Sequence, residues 1–121
     1  MSLLVSVIGA GAMGSGIAHV AASNDSAVTI VDSSPQALEN SQSKLKSILN
    51  RLVEKGKINK EESQHIISNI NWSSEMNEIS NSNLVIEAIV ENMEIKQILF
   101  SQMESLVSDD CILATNTSSL S

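Results

Sequence analysis

Short apolar runs rich in branched residues alternate along the chain with segments whose apolar residues recur at helical spacing. The runs that predict buried strands cover residues 3–8, 27–31, 84–89 and 111–114, with a weaker signal at 70–72. The segments that predict helices cover residues 15–23, 35–55, 60–69 and 91–107. Because strands and helices alternate and the strands are almost continuously apolar, the pattern predicts an α/β fold, a doubly wound parallel sheet with helices on both faces.

The longest predicted helix, residues 35–55, has recognisable signals at both ends. Pro35 follows a serine and suits the first position of a helix, because its missing N–H has no partner to lose there. Gly56 is suited to the left-handed conformation that commonly ends a helix. Asn59 and Glu62 then have the spacing of a capping box, which predicts a second, shorter helix. The two helices are expected to form a helical hairpin after the second strand.

A glycine-rich turn joins the first predicted strand to the first predicted helix. It matches the pattern G-x-G-x-x-G and consists of Gly9, Ala10, Gly11, Ala12, Met13 and Gly14. The first glycine would allow a tight turn, the second would let the backbone approach a pyrophosphate, and the third would let the helix pack close to the strand. A helix N-terminus also attracts anions through its free N–H groups and its dipole. All of these residues are therefore predicted to bind a dinucleotide cofactor.

Asp32 stands at the end of the second predicted strand, where dinucleotide-binding proteins carry an acid. Its carboxylate can accept hydrogen bonds from both hydroxyls of an adenosine ribose and would repel a 2′-phosphate. No lysine or arginine precedes Lys44 to neutralise such a phosphate. These residues therefore favour NAD over NADP as the cofactor. The alternative is a glycine turn of purely structural importance, with Asp32 starting the next loop.

Composition narrows the class of protein further. With 121 residues, of which 42% are hydrophobic, the chain is long enough for one domain with its own core. A formal net charge of -7 argues against a nucleic-acid-binding domain, and no apolar run reaches the roughly 20 residues that a membrane span needs. The single cysteine excludes an internal disulfide and the N-terminus lacks the features of a signal peptide, so we expect a cytoplasmic protein. No metal site is predicted.

The basic residues are concentrated in one part of this acidic chain. All of them except Lys96 lie between Lys44 and Lys60, largely on the predicted hairpin. A solvated helix face explains such a segment, since the helix dipole favours cations near a helix C-terminus. The other interpretation is a site for a polyanionic small molecule, and the charges alone are compatible with both.

Several stretches of the sequence together resemble one known family. They are GAGAMGSGIA, Asp32, VIEAIVENMEIKQILF and ATNTSSLS, and in this order they are similar to the N-terminal NAD-binding domain of the 3-hydroxyacyl-CoA dehydrogenase family. The family includes bacterial 3-hydroxybutyryl-CoA dehydrogenases and the dehydrogenase part of multienzyme chains of fatty-acid oxidation. The resemblance implies a Rossmann-type NAD-binding domain over residues 1–121. It also implies hydride transfer between NAD and C3 of a 3-hydroxyacyl-CoA, which becomes a 3-ketoacyl-CoA.

The resemblance implies roles for individual residues as well. Glu91 matches a glutamate beside the ribose and nicotinamide of the cofactor, and Lys96 matches a lysine whose ammonium would hold Glu91 or a cofactor oxygen. Asn116 matches a cofactor-binding asparagine. Ser118 matches the catalytic-site serine that orients the substrate by a hydrogen bond to its 3-oxygen, or that lies against the nicotinamide. Lys55, on the hairpin, becomes a candidate partner for a phosphate of coenzyme A. Without the resemblance, Glu91 and Lys96 would be interpreted as an exposed ion pair, and Asn116 as part of a polar turn.

In the family, a catalytic histidine, the glutamate that orients it and a helical dimerisation domain follow the Asn-Thr-Ser motif. The resemblance therefore implies a homodimeric parent enzyme. We expect residues 1–121 alone to bind NAD without turning over substrate, because the reaction needs a general base at the 3-hydroxyl. The alternatives are another NAD-dependent β-hydroxyacid dehydrogenase, a structural protein like the lens λ-crystallins that the family resembles, and an NAD-sensing module without a catalytic partner.

Overall fold

The computed structural model describes residues 3–89 and 93–115. The strands are β1 (Leu4–Ile8), β2 (Ala27–Val31), β3 (Ile70–Ser73), β4 (Leu84–Glu87) and β5 (Ile112–Thr115). The helices are α1 (Ala12–Ser23), α2 (Pro35–Glu54), α3 (Lys60–Ser68) and α4 (Met93–Leu106), and a 3₁₀ helix that the sequence pattern did not indicate covers Met76–Asn81. None of the helices in these described ranges is long and apolar enough to span a membrane.

The strands form one parallel sheet in the order β3-β2-β1-β4-β5. In the central strand β1, Ile8 pairs with Val31 of β2 on one side and with Glu87 of β4 on the other. The chain builds outward from β1 in one direction, crosses back, and then continues in the other direction. The carboxyl ends of β1 and β4 therefore border the crevice where open α/β sheets bind their ligands. The predicted doubly wound parallel sheet is confirmed.

Successive side chains of the central strands bury opposite faces of the sheet. One apolar cluster contains Val7 and Ile30 and includes buried residues of α1, α2 and α3. The other contains Ile8 and Val31 together with Met103 of α4. Because the side chains of a strand point alternately to its two faces, Val7 and Ile8 enter different clusters. Helices thus cover both faces, which explains why the strands are nearly continuous in apolar residues.

The helical hairpin of α2 and α3 forms where the sequence predicts it. The hydroxyl oxygen of Ser34 caps α2 by accepting a hydrogen bond from the N–H of Ala37 at 3.1 Å. Gly56 has a φ of +71° just after α2, as expected of a residue that ends a helix. Asn59 and Glu62 form the predicted capping box at the start of α3.

A path of hydrogen bonds connects the hairpin to the glycine turn. The indole N–H of Trp72 in β3 donates to the hydroxyl of Ser41 in α2 at 3.0 Å. That hydroxyl lies 2.7 Å from the hydroxyl of Ser15 in α1, which donates to the carbonyl oxygen of Ala10 at 3.2 Å. Since Ser41 is buried, this path runs through the interior and fixes α1, α2 and β3 relative to the turn.

The fourth strand is shorter than its apolar run predicts. The run continues to Ile89, but β4 ends at Glu87. The carboxylate of Glu87 accepts a hydrogen bond from the N–H of Ile89 at 2.5 Å, so this N–H is not available to extend the ladder. The N–H of Ala88 still donates to the carbonyl of Ile8 at 2.9 Å. The predicted boundary was therefore wrong because a side chain at the end of the strand competes for the next backbone donor.

Candidate functional site

The first glycine of the turn has a backbone conformation that favours glycine. Gly9 has a φ of +113°, and its N–H donates to the carbonyl of Val31 at 2.8 Å. A Cβ built on Gly9 would lie 2.9 Å from Cγ1 of Ile89 and 3.3 Å from the carbonyl group of Ala88. Both the backbone angle and the chain beyond β4 therefore exclude a side chain at this position.

The third glycine permits the close packing of α1 on the turn. A Cβ built on Gly14 would lie 1.9 Å from the carbonyl oxygen of Gly9 and 3.3 Å from Cγ1 of Val7. Gly14 is also buried in the first turn of α1. Any side chain here would push the helix away from the strand, as the sequence analysis expects.

The second glycine, in contrast, faces open space. A Cβ built on Gly11 would meet no atom of residues 3–89 and 93–115 within 4 Å, and Gly11 does not have a positive φ. The protein itself therefore does not require a glycine here, whereas a ligand that approached the backbone would. Gly11 is the N-cap of α1 and offers no side-chain hydrogen bond, while side chains cap both α2 and α3. The first N–H groups of α1, at Ala12 and Met13, have no partner within the helix.

Asp32 is held beside this turn by both of its carboxylate oxygens. Oδ2 accepts a hydrogen bond from the N–H of Ala10 at 2.9 Å, and Oδ1 accepts one from the N–H of Ser34 at 2.9 Å. The N–H of Asp32 donates to the carbonyl of Ser73 in β3 at 3.1 Å. The structure thus brings together the glycine turn and the acid that the sequence singles out, at the carboxyl ends of neighbouring strands.

These features fit a dinucleotide cofactor. The open face at Gly11 leaves room for a pyrophosphate, and the uncapped start of α1 presents N–H groups and a partial positive charge to it. Asp32, half-buried next to the turn, supplies the acceptor that an adenosine ribose needs. Within residues 3–89 and 93–115, no group of histidine, cysteine, aspartate and glutamate side chains is arranged to hold a metal ion.

A cavity of about 580 Å³ lies beside the turn, between α1 and α2. Its walls include the backbone-exposing residues Gly11 and Gly16 and the basic side chains Lys44 and Arg51. Part of the basic segment therefore lines a cavity, so it is more than a solvated helix face. Lys55 follows at the exposed C-terminal end of α2. Since α2 begins near Asp32 and a 20-residue helix is about 30 Å long, Lys55 lies far from the glycine turn.

Lys96 contacts a carboxylate that the sequence did not single out, that of Glu87. Its ammonium donates to Oε1 of Glu87 at 2.7 Å and to the carbonyl oxygen of Ile89 at 2.9 Å, and both charged side chains are buried. The sequence-based interpretation of Lys96 as part of an exposed ion pair is therefore wrong, because α4 packs this side chain against the end of β4. A contact of Lys96 with Glu91, which lies outside the described residues, or with a cofactor oxygen stays a prediction.

Glu87 was missed by the sequence analysis as a site residue. Burial by itself raises the pKa of a carboxyl group, but hydrogen bonds from Lys96, Thr115 and the Ile89 N–H, together with the charge of Lys96, lower the pKa of Glu87 overall. The signal in the sequence was a lone acid inside an otherwise apolar run, which is unusual for a buried strand. Glu91, Asn116 and Ser118 lie outside the described residues, so their predicted roles stay predictions.

Comparison with known proteins places the chain in a family. Residues 4–121 match the family model described as 3-hydroxyacyl-CoA dehydrogenase, NAD binding domain. A probable 3-hydroxybutyryl-CoA dehydrogenase of Deinococcus radiodurans is 39% identical over 114 residues, which are 94% of this chain and 41% of that protein. The fatty acid oxidation complex subunit alpha of Psychrobacter cryohalolentis is 36% identical over 115 residues, 95% of this chain and 16% of that protein. The chain thus spans less than half the length of these relatives.

Solved structures of the same family share the fold. The 3-hydroxybutyryl-CoA dehydrogenase of Escherichia coli superposes with a TM-score of 0.94 at 35% identity, over 98% of this chain and 25% of that one. The (S)-3-hydroxybutyryl-CoA dehydrogenase of Ralstonia eutropha superposes with a TM-score of 0.93 at 31% identity, over 98% of this chain and 42% of that one. With the glycine turn and Asp32 in place, the chain belongs to the 3-hydroxyacyl-CoA dehydrogenase family, as its Rossmann-type NAD-binding domain.

Proposed function

We propose that this domain holds NAD for the reversible oxidation of a 3-hydroxyacyl-CoA at C3, with a four-carbon acyl chain as the reference substrate. The named relatives are 3-hydroxybutyryl-CoA dehydrogenases and fatty-acid oxidation proteins, which supports this substrate class. When bound, NAD supplies hydride acceptance, and the protein supplies position and charge.

The observation that carries the proposal is the position of Asp32 against the glycine turn. The carboxylate is bonded to the N–H of Ala10, one residue before the open face at Gly11. A dinucleotide with its phosphates on the start of α1 therefore has its adenosine ribose within reach of Asp32. The same negative charge disfavours a 2′-phosphate, so the domain is expected to discriminate against NADP.

The basic side chains of α2 support a coenzyme A thioester as the second ligand. Lys44 and Arg51 border the cavity beside the turn, and Lys55 comes about one helical turn after Arg51. These side chains provide cations for the phosphates of coenzyme A at one end of a path that leads to the glycine turn. We assign the phosphate contact to Lys55, as the family resemblance implies.

The remaining assignments come from the family resemblance. Glu91 and Asn116 are proposed to contact the cofactor, and Ser118 to orient the 3-oxygen of the substrate. The full-length enzyme is proposed to be a homodimer. It is also proposed to be cytoplasmic, because a single cysteine in this chain suits a reducing compartment.

A substrate comparison tests this function in the protein that contains the domain. NADH oxidation is followed with acetoacetyl-CoA and, in parallel, with free acetoacetate. We expect the thioester to be reduced with a far higher kcat/KM, because only it carries the coenzyme A phosphates. Equal use of the free acid would overturn the proposal in favour of another β-hydroxyacid dehydrogenase. Binding of NADH without reduction of either compound would favour a non-catalytic role.

A further inference from the structure

The last residue of β4 carries a buried charge that the proposed function does not use. Glu87 is 0% exposed. Its Oε1 accepts hydrogen bonds from the ammonium of Lys96 at 2.7 Å and from the hydroxyl of Thr115 at 2.6 Å, and its Oε2 accepts one from the N–H of Ile89. Burying a carboxylate is costly unless it is paired and hydrogen-bonded in this way.

The partners of Glu87 come from separate elements that meet at the ligand-binding edge of the sheet. Lys96 belongs to α4, Thr115 is the last residue of β5, and Ile89 is in the segment that leaves β4. Glu87 therefore fixes the carboxyl ends of β4 and β5 and the N-terminal part of α4 relative to one another.

The segment that Glu87 fixes is in contact with the glycine turn. A Cβ on Gly9 would lie 2.9 Å from Cγ1 of Ile89, and the N–H of Ala88 donates to the carbonyl of Ile8 at the entry to the turn. The ammonium of Lys96 also holds the carbonyl of Ile89. A displacement of residues 88–89 would therefore change the surface on which the turn rests.

The energetics of a buried ion pair indicate that Glu87 and Lys96 contribute more to the positions of neighbouring residues than to the stability of the fold. The cost of removing both charges from water commonly cancels their attraction, and an apolar pair of similar volume is often as stable. What an apolar pair does not provide is directional hydrogen bonding to Ile89 and Thr115. The hydrogen bonds of this carboxylate are therefore best explained by the positions in which they hold Ile89 and Thr115 at the edge of the sheet.

We propose that Glu87 is a positioning residue for the nicotinamide half of the bound cofactor. The inference rests on the proposed function, in which Asp32 at the end of β2 takes the adenosine ribose and the start of α1 takes the phosphates. The other half of the dinucleotide then lies across the switch point, over β4 and β5. Glu87 acts there through Ile89 and Thr115, without touching the cofactor.

The test compares two ligands on the same variants. ADP occupies only the adenosine side of the crevice, whereas NADH occupies both sides. Glu87→Gln cannot satisfy all of its neighbours, since an amide places N–H groups against Lys96 and Thr115 or against the N–H of Ile89. We expect it to weaken NADH binding about tenfold, the size of one buried charge-assisted hydrogen bond, and to leave ADP binding within about twofold.

A second variant and a control variant separate an effect on NADH binding from a general loss of stability. Thr115→Val removes one hydrogen bond at nearly constant volume, and we expect it to weaken NADH binding about threefold with ADP binding unchanged. Met103→Ala, in the buried face of α4, lowers stability without touching Glu87 and is expected to keep the wild-type ratio of NADH to ADP affinity. Circular dichroism shows the temperatures at which each variant is folded, so that binding is compared between folded proteins.

The outcomes separate this inference from the proposed function. A wild-type chain that binds neither NADH nor ADP would overturn both. A wild-type chain that binds them, with Glu87→Gln and Thr115→Val keeping its affinity ratio, would overturn only the positioning role. A loss of NADH affinity in Met103→Ala as large as in Glu87→Gln would show general destabilisation and would also overturn it.

Discussion

Asp32 accepts a hydrogen bond from the N–H of Ala10, so the acid after β2 and the turn after β1 are joined before any ligand binds. The carboxylate oxygen that faces the turn is thus already held in place. Since less side-chain freedom has to be lost on binding, the free domain is preorganised for a ribose.

The first prediction concerns the choice of nicotinamide cofactor. Asp32→Asn removes the charge and one of the acceptors, so we expect NADH affinity to fall about tenfold and the preference for NADH over NADPH to shrink by a similar factor. Fluorescence titration with both reduced cofactors measures the ratio. Asp25→Asn is the matched control, because Asp25 lies beyond the other end of α1, with Oδ1 2.9 Å from Nε2 of His65. Its φ of +67° also suits asparagine. An unchanged ratio in Asp32→Asn would contradict the assignment of the acid.

The second prediction separates ligand space from protein packing. Gly11→Ala adds a methyl group that meets no atom of the described residues within 4 Å, so the fold should persist while the pyrophosphate is blocked. Gly16→Ala, inside α1, is the matched control, because its Cβ equally meets no atom of the described part of the chain. We expect NADH binding to be lost in the first variant and kept in the second, which should be more stable by up to about 1 kcal/mol. Isothermal titration and thermal unfolding provide the two measurements.

The third prediction concerns the stability of the turn. Gly14→Ala places a Cβ 1.9 Å from the carbonyl oxygen of Gly9, and we expect it to lower the free energy of unfolding by at least about 1–3 kcal/mol. Gly56→Ala is strained by its positive φ, and its Cβ meets no atom within residues 3–89 and 93–115, so it should cost about 1–2 kcal/mol and leave NADH binding intact. Urea unfolding measures both. Equal binding by the two folded variants would show that α1 need not pack closely on the turn.

The fourth prediction is a pH dependence of stability. The pKa of Glu87 is lower in the folded state than in the unfolded state, so the unfolded state binds more protons in acid. The contribution of Glu87 to stability is therefore complete above the ordinary pKa of a glutamate side chain, and it is lost as the pH falls through the lower pKa of the folded state. Urea unfolding at a series of acidic pH values should show a shallower fall in Glu87→Gln than in the wild type. Parallel curves for the two proteins would contradict this assignment.

The fifth prediction tests the pairing of Lys96 with Glu87. Lys96→Met leaves a buried carboxylate without its cation, and we expect a loss of about 3–5 kcal/mol. Adding Glu87→Leu to this variant should recover most of that stability, because an apolar pair can replace a buried ion pair. Denaturant unfolding of the single and double variants gives both values. A double variant that recovers none of the stability lost in Lys96→Met would contradict the expectation that apolar side chains can replace this ion pair.

The sequence was most informative where the backbone itself requires a particular residue. Gly9 and Gly14 are needed by the turn, Asn59 and Glu62 cap α3 reciprocally, and the alternation of Val7 and Ile8 places them on opposite faces. Such local requirements can be recognised without knowing the rest of the fold.

Contacts between distant elements were harder to predict. The contact of Lys96 with Glu87 was not foreseen and β4 was predicted too long for the same reason, which is the inward direction of the Glu87 side chain. Helical spacing brings Lys96 near the end of a strand, but only the packing of α4 on the sheet determines which carboxylate it meets. The cavity beside Lys44 and Arg51 likewise depends on how α2 lies against α1.

The hydroxyl path from the turn to the hairpin gives the protein an intrinsic optical probe. Trp72 is the sole tryptophan, and two serine side chains separate its indole N–H from the carbonyl oxygen of Ala10. We expect a rearrangement of that carbonyl on cofactor binding to change the hydrogen bonding of this single indole. Emission from the unlabelled domain is therefore expected to report occupancy of the crevice, and Ser41→Ala, which removes the middle hydroxyl, is the control for this response.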